Sequence, residues 1–289
     1  MTSDTSATPL TSVATRLCAA WGKLGLELGA WPVPHDLPAD RDALARLIDV
    51  APASAFELVH AADGPAREMP KLSAPQPRSR VLDADWTVPF VVRVGPLLPW
   101  AEPLADWPAA WRTFLRHVLS PAHAERCEVR IDLYIASPHA YSRFHADPSH
   151  NVVHQIVGRR ELRVFSPFDR RLIDERSRPE VFHRRGCVPL YREDCEDAAV
   201  SLELSPGTAS YIPALGAHWL RNGAKRSVAY GISLRTPSEF REKHCHAFNR
   251  RLGALGLAFA EFGLHQRRDS AKAAIERWLL RRSRTGGAS

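Results

Sequence analysis

Two hydrophobic periods divide the chain. In the N-terminal part the apolar positions recur at helical spacing. Leu44, Leu47 and Ile48 follow Asp40 at i, i+3, i+4, which predicts a helix that Asp40 caps and that ends before Pro52. Another helical segment is expected just after a Ser/Thr/Ala-rich tail of a dozen residues. Residues 64–86, with their several prolines, read as a surface loop, and TVPFVVRVG as a strand. Trp111, Phe114, Leu115, Val118 and Leu119 form a stripe that predicts core packing. From about Cys127 the period becomes two. EVRIDLYIA, VVHQIVG, ELRVFSP, VSLELSPG, ASYIPA and RSVAYGISLRT are six short strands punctuated by Gly, Pro and Asp, a rhythm that predicts a sandwich or small barrel. Helical spacing returns after Pro237. There Ala271, Ile275, Trp278 and Leu279 share one face, and Lys272, Glu276 and Arg277 lie largely off it.

The organisation expected is therefore a tail (1–12), N-terminal helices and first strands (13–125), a β core (126–236) and a helical C-terminal region (237–289). The fold class is mainly β with flanking helices. No repeat of solenoid length is visible.

Composition narrows the classes without naming a chemistry. With 45% hydrophobic and 25% charged residues in 289, the chain is neither disordered nor fibrous. No apolar run approaches the roughly 18 residues of a membrane helix, and the first residues lack a secretory pattern, so a cytoplasmic location and no membrane partner are expected. The five cysteines (Cys18, Cys127, Cys187, Cys195 and Cys245) are scattered without a C-x-x-C pair, which argues against a disulfide or zinc framework. The formal charge of +7 favours an acidic partner, yet the arginines read as scattered along the chain. A solvated basic surface is the plainer reading, and the case for nucleic acid rests on charge alone.

The chemistry is concentrated in FHADPSHNVVHQIVGRRELRVFSP, residues 144–167. On an extended chain, His145 and Asp147 leave the same face and can meet one cation. His218, in SYIPALGAHWLRNG, supplies a second imidazole between two strands. Two histidines and one carboxylate with open positions opposite form the ligand set of non-haem iron(II) oxygenases. An isolated H-x-D is more often a pair of solvated or capping residues, so the setting downstream decides. His150 and His154 lie close enough in sequence to compete as ligands, although His154, on a strand, reads as a core or pocket-lining residue. Other mechanisms lack their signatures: there is no G-x-S-x-G elbow, P-loop lysine or dinucleotide-binding glycine motif.

The segment HADPSHNVVHQIVGRRELRVFSP, followed by YIPALGAHWLRNG, resembles the JmjC-like (cupin-8) group of Fe(II)/2-oxoglutarate oxygenases, over residues 130–236. That resemblance implies a double-stranded β-helix, or jelly-roll, with His145, Asp147 and His218 holding Fe(II). It implies that Arg160, where the group commonly has lysine, pairs with the far carboxylate of 2-oxoglutarate, with Ser142 helping. Asn151 falls near the iron-bound end of the co-substrate, and Tyr134 points into the barrel. Where the group often carries asparagine on the strand after His218, this chain has Gly231. The activity implied is dioxygen-dependent hydroxylation of an aliphatic C–H, with 2-oxoglutarate converted to succinate. The substrate expected is a protein or peptidyl side chain, or an amino-acid-derived metabolite. The C-terminal helices are expected either to pack on the barrel or to form a homodimer surface. The alternative is a cupin-fold binding or regulatory module that does not turn over oxygen.

Overall fold

The computed structural model describes residues 9–30, 37–61, 63–65, 68–83, 88–174, 177–183 and 191–285. Residues 1–8 of the expected tail, the parts of the 64–86 loop at 66–67 and 84–86, and Cys187 lie outside them. The N-terminal part runs α1 (Pro9–Ala20), β1 (Leu26–Ala30), α2 (Arg41–Asp49), β2 (Phe56–His60), β3 (Phe90–Val94), α3 (Trp107–Leu115) and α4 (Pro121–Glu125). The middle holds β4 (Glu128–Ala136), β5 (His150–Val157), β6 (Arg160–Val164), α5 (Arg178–His183), β7 (Val200–Leu204), β8 (Thr208–Ile212), β9 (His218–Asn222) and β10 (Ser227–Arg235). The chain closes with α6 (Pro237–Ala254) and α7 (Gln266–Thr285).

Two antiparallel sheets face each other. The larger has the order β1-β8-β5-β10-β4-β3-β2 and the smaller the order β7-β6-β9. The extended segment 139–145 runs along the free side of β9 through bridges Tyr141–Arg221 and His145–His218, adding an irregular fourth member to the smaller sheet. This is the jelly-roll that the resemblance implies, one form of the sandwich or small barrel that the strand rhythm predicts, with strands from both sides of residue 125 sharing the larger sheet.

Each strand's alternation settles which side chains enter the barrel. On β10, Val228, Tyr230, Ile232 and Leu234 join Ile131, Leu133 and Ile135 of β4 and Val152 of β5 in the main core, on the face covered by helices. The alternate residues of β10, Ser227, Ala229, Gly231 and Ser233, face the interior. All four are small, so this wall leaves room within the barrel. On the smaller sheet Leu162 and Val164 join Leu202, Leu204 and Ile212 in an interior cluster.

The helices follow their predicted causes, with one reversal. Asp40 accepts the Ala43 N–H and caps α2, an interaction type worth about 1 kcal/mol, and Leu44, Leu47 and Ile48 are buried. Residues 9–12, read as part of the tail, already belong to α1. In α7 the expected faces are exchanged. Asp269, Lys272, Ala273 and Glu276 are buried against α6 and the 255–265 turn, whereas Ile275 and Trp278 are exposed. Polar pairings cause this: Arg251 Nε donates to Glu276 Oε2 at 2.8 Å, Lys272 Nζ to Ala260 O at 2.8 Å, and Gly263 N to Asp269 Oδ2 at 2.8 Å. The stripe Ala271/Ile275/Trp278/Leu279 is therefore not packed on the barrel. No helix among the described residues is long and apolar enough to cross a membrane.

Candidate metal and co-substrate site

His145 and His218 lie on neighbouring segments joined by two backbone hydrogen bonds, His145 N to His218 O (3.1 Å) and His218 N to His145 O (2.8 Å). Their rings are 4.2 Å apart at 52°. The ring nitrogens are already sorted. His145 Nδ1 lies 2.7 Å from Arg143 O and His218 Nδ1 2.9 Å from Gly216 O. A carbonyl only accepts, so each Nδ1 carries the proton and each Nε2 offers a lone pair. Gly216 suits the turn that supplies this carbonyl, because a Cβ there would come 2.8 Å from Pro213 Cγ. Burial, reinforced by the His145 ring, pushes the His218 imidazole down to about 4, so it stays neutral near pH 7.

Asp147 completes the triangle. Its Oδ2 is 3.9 Å from His145 Nε2, and ligand atoms of His145, Asp147 and His218 all fall within 4.8 Å of one another. This is the one cluster of its kind among the described residues. Asn151 Nδ2 donates to Asp147 Oδ2 at 2.8 Å, and Ser233 Oγ donates to Asn151 Oδ1 at 2.7 Å. The asparagine is thus seated on the carboxylate itself. The donor set suits a divalent transition cation: two neutral imidazoles and an oriented carboxylate.

Arg160 enters the barrel from β6, opposite Asn222 in the register that also places Val164 opposite His218. Four strand positions separate the two ends, about 13 Å at ~3.3 Å per residue. Arg160 is buried; its Nε donates to Ser227 Oγ at 2.7 Å, and its Nη2 is buried without a hydrogen-bond partner. Burial lowers the guanidinium to about 10, and among the described residues no ion pair compensates it. A buried guanidinium with an idle N–H calls for an anion. A dicarboxylate bound at the triad end fits that demand.

The remaining expected residues divide. Tyr134 lies on the interior face of β4, opposite Ala229, and interacts electrostatically with Arg160 and with Asp147. Burial raises its phenol well above the ordinary range, so it remains a neutral hydroxyl. Ser142 Oγ accepts the Leu220 N–H at 2.8 Å, and its O–H can donate elsewhere. His150 is held away from the triad by Tyr211 Oη (2.8 Å), Glu239 and the tilted ring of Trp21 4.2 Å away. His154 lies on the core side of β5, where burial lowers it to about 4. Arg159 and Arg163 pair with Glu203 and Glu161 at the surface.

No family model matches the chain, and no curated protein matches it. Among solved structures, that of Escherichia coli YcfD aligns with a TM-score of 0.50 at 18% identity, covering 90% of this chain and 65% of the YcfD chain. The fold is that of YcfD. A second structure of the same protein, described as a ribosomal oxygenase in complex with cobalt and 2-oxoglutarate, aligns with a TM-score of 0.49 at 18% identity over 90% of this chain and 64% of that one. The chain thus spans somewhat less than two thirds of these neighbours' length.

Within this YcfD-like barrel the sequence reading missed a charged wall beside Tyr134. Asp132, two residues before it on the same face of β4, is buried and accepts at Oδ1 from Arg93 Nη2 (3.3 Å) and from Arg130 Nε and Nη2 (3.2 and 3.1 Å). Arg93 also approaches Glu57 at 3.6 Å. Burial outweighs the Arg93 charge and raises the Asp132 carboxyl to about 6. Its Oδ2 accepts from no described donor. The only signal in the sequence was an aspartate inside EVRIDLYIA at a position facing the same way as Tyr134; its partner Arg93 becomes a neighbour only when β3 pairs with β4.

Proposed function

We propose that this chain is an iron(II)- and 2-oxoglutarate-dependent oxygenase that hydroxylates an aliphatic C–H. The observation that carries this is the idle Nη2 of buried Arg160 in the same barrel as the His145/Asp147/His218 triad. His145, Asp147 and His218 would hold the iron through two Nε2 atoms and a carboxylate. Arg160 would take the far carboxylate of 2-oxoglutarate, with Ser227 fixing its fork and Tyr134 and Ser142 offering hydroxyls. Bound together, iron, 2-oxoglutarate and dioxygen supply the oxidising chemistry, and the co-substrate leaves as succinate and carbon dioxide. The chain's own work is orientation. Asn151 fixes the carboxylate, the two carbonyls fix the imidazoles, and the interior apolar cluster keeps bulk water from the barrel.

The substrate we propose is a protein or peptidyl side chain, with an amino-acid-derived metabolite as the smaller alternative. The wall of Tyr134, Asp132, Arg93 and Arg130 offers both donors and an unused acceptor, Asp132 Oδ2, to a polar group presented beside the triad. A binding module without turnover is the competing reading, and Gly231, which provides no side chain for contacts on the oxygen side, is the feature that favours it.

Anaerobic titration of the apo-protein with Fe(II) and then 2-oxoglutarate tests the site. A visible charge-transfer band, lost in His145→Ala and requiring far more 2-oxoglutarate in Arg160→Ala, is expected. Folded protein that gives no band would overturn the oxygenase reading. Succinate formation coupled to substrate separates turnover from binding alone.

A further inference from the structure

The charge of this protein is not spread evenly. Residues 237–289 contain eleven Lys and Arg against five Asp and Glu, so nearly all of the chain's excess of seven positive charges resides in its C-terminal helices. Folding sharpens the imbalance. Glu239, Glu242, Asp269 and Glu276 are all buried, which leaves Glu261 as the exposed acid of the region. On α7 the two acids, Asp269 and Glu276, turn toward α6, and among the described side chains the exposed ionisable ones are Arg267, Arg268, Arg277, Arg281 and Arg282. No described acid forms an ion pair with Arg267, Arg268 or Arg277.

An aromatic ring lies in the middle of these cations. At 100° per residue, Trp278 falls on the outward arc between Arg267 and Arg282. It is 52% exposed, and the Arg282 guanidinium lies 4.7 Å from its ring centroid. Ala274 and Ala271, one and two turns earlier on the same face, are too small to cover the ring. The result is a helix face that combines an exposed aromatic ring with several phosphate-seeking guanidinia, which are the parts used for single strands of nucleic acid.

We propose that the outward face of α7 binds single-stranded nucleic acid, with its arginines on phosphates and Trp278 stacked on a base. The inference is independent of the chemistry in the barrel. Three other occupants fit this face less well. A second copy docked face to face would set arginine against arginine with no acid between them. A membrane-surface helix separates an apolar wedge from its basic flank, whereas here Trp278 and Ile275 are interleaved with arginines on one arc. An acidic peptide would satisfy the guanidinia but has no use for the exposed indole.

The test uses the full chain and fluorescein-labelled oligouridylate and oligothymidylate of about 12 nucleotides, a length within single-strand site sizes, read by anisotropy across a salt series. Affinity should fall with salt at a logarithmic slope of roughly −2 to −3, since each phosphate contact on a single strand contributes about −0.7. Trp278→Ala should weaken binding roughly ten-fold with the slope unchanged, the size expected for one lost stack. Arg267→Ser with Arg268→Ser should flatten the slope by about 1.4. These side chains are exposed, so melting temperatures should match the wild type. Binding of either oligomer with both signatures supports the proposal. It is overturned by absence of binding at low salt, by Trp278→Ala binding as tightly as wild type, by polyglutamate displacing the oligomer at equal charge, or by phosphatidylserine vesicles retaining the protein in preference to RNA.

Discussion

Gly231 and Tyr134 occupy one space: a Cβ added at Gly231 would lie 2.6 Å from Tyr134 Cε2. The ring of one strand fills the place that a side chain on its neighbour would take. The absence of a side chain at Gly231 is thus the condition for an inward tyrosine. Gly231→Ala should cost about 1–3 kcal/mol by overpacking. Tyr134→Ala should cancel most of that cost, so a double-mutant cycle by urea denaturation should give a clear coupling energy. Additive effects would disprove the shared volume.

Arg160 makes a more unusual prediction, because removing a buried charge that lacks a counter-ion relieves a burden. Arg160→Met should leave the apo-protein's melting temperature unchanged or raise it, while abolishing the stabilisation expected of the wild type in excess 2-oxoglutarate with Fe(II) under anaerobic conditions. Thermal scans with and without the co-substrate check both halves. A variant that melts lower but still responds to 2-oxoglutarate would contradict the role.

Asn151 should govern metal affinity through Asp147. Asn151→Ala frees the carboxylate to rotate, and a loss of about 10–100-fold in Co(II) affinity is expected, the range for removing an outer hydrogen bond to a ligand. Ser233→Ala should act in the same direction and more weakly, since its hydroxyl reaches Asp147 only through Asn151. Cobalt absorption titrations measure both. An unchanged affinity would leave Asn151 without this positioning task.

Stability should carry a pH signature from the charged wall. Asp132 titrates at about 6 in the fold against an ordinary 3.8, so between those values the folded state binds more protons than the unfolded one, and this group lowers stability as pH rises through the window. His154 does the reverse: held at about 4 against 6.5, it is protonated more readily in the unfolded chain, and stability rises with pH. Asp132→Asn removes the falling component. Urea melts of the metal-free variant between pH 4 and 6.5 should therefore climb more steeply than wild type, and parallel curves would refute the assignment.

How far the sequence could be read depended on whether its pattern was local. β4 was legible to the residue, because EVRIDLYIA alternates cleanly and one face is wholly apolar. The triad was legible because its spacing and flanking strands are linear features. β9 was not read as a strand: HWLRN follows a Pro-Gly turn closely, and only the register with β6 gives it a ladder. The strands LELGA and FELVH are too short and too mixed to declare themselves. The faces of α7 were misread because apolar periodicity marks a core only where a core exists to receive it, and α6 presents Arg251 and the 255–265 turn its backbone carbonyls. Asp132 with Arg93 was invisible because the two are 39 residues apart and meet only through strand pairing.

The double backbone bridge between His145 and His218 sets the terms on which a cation comes and goes. Two imidazoles from stretches 73 residues apart are fastened to each other by main-chain hydrogen bonds, and their rings are aimed by carbonyls rather than by a metal. An ion arriving there finds the socket already moulded and has no chain to gather. Its departure loosens no seam of the barrel. Chelators should accordingly leave this protein an intact, refillable shell, so that a metal held there would be a replaceable tool of the fold and not one of its rivets.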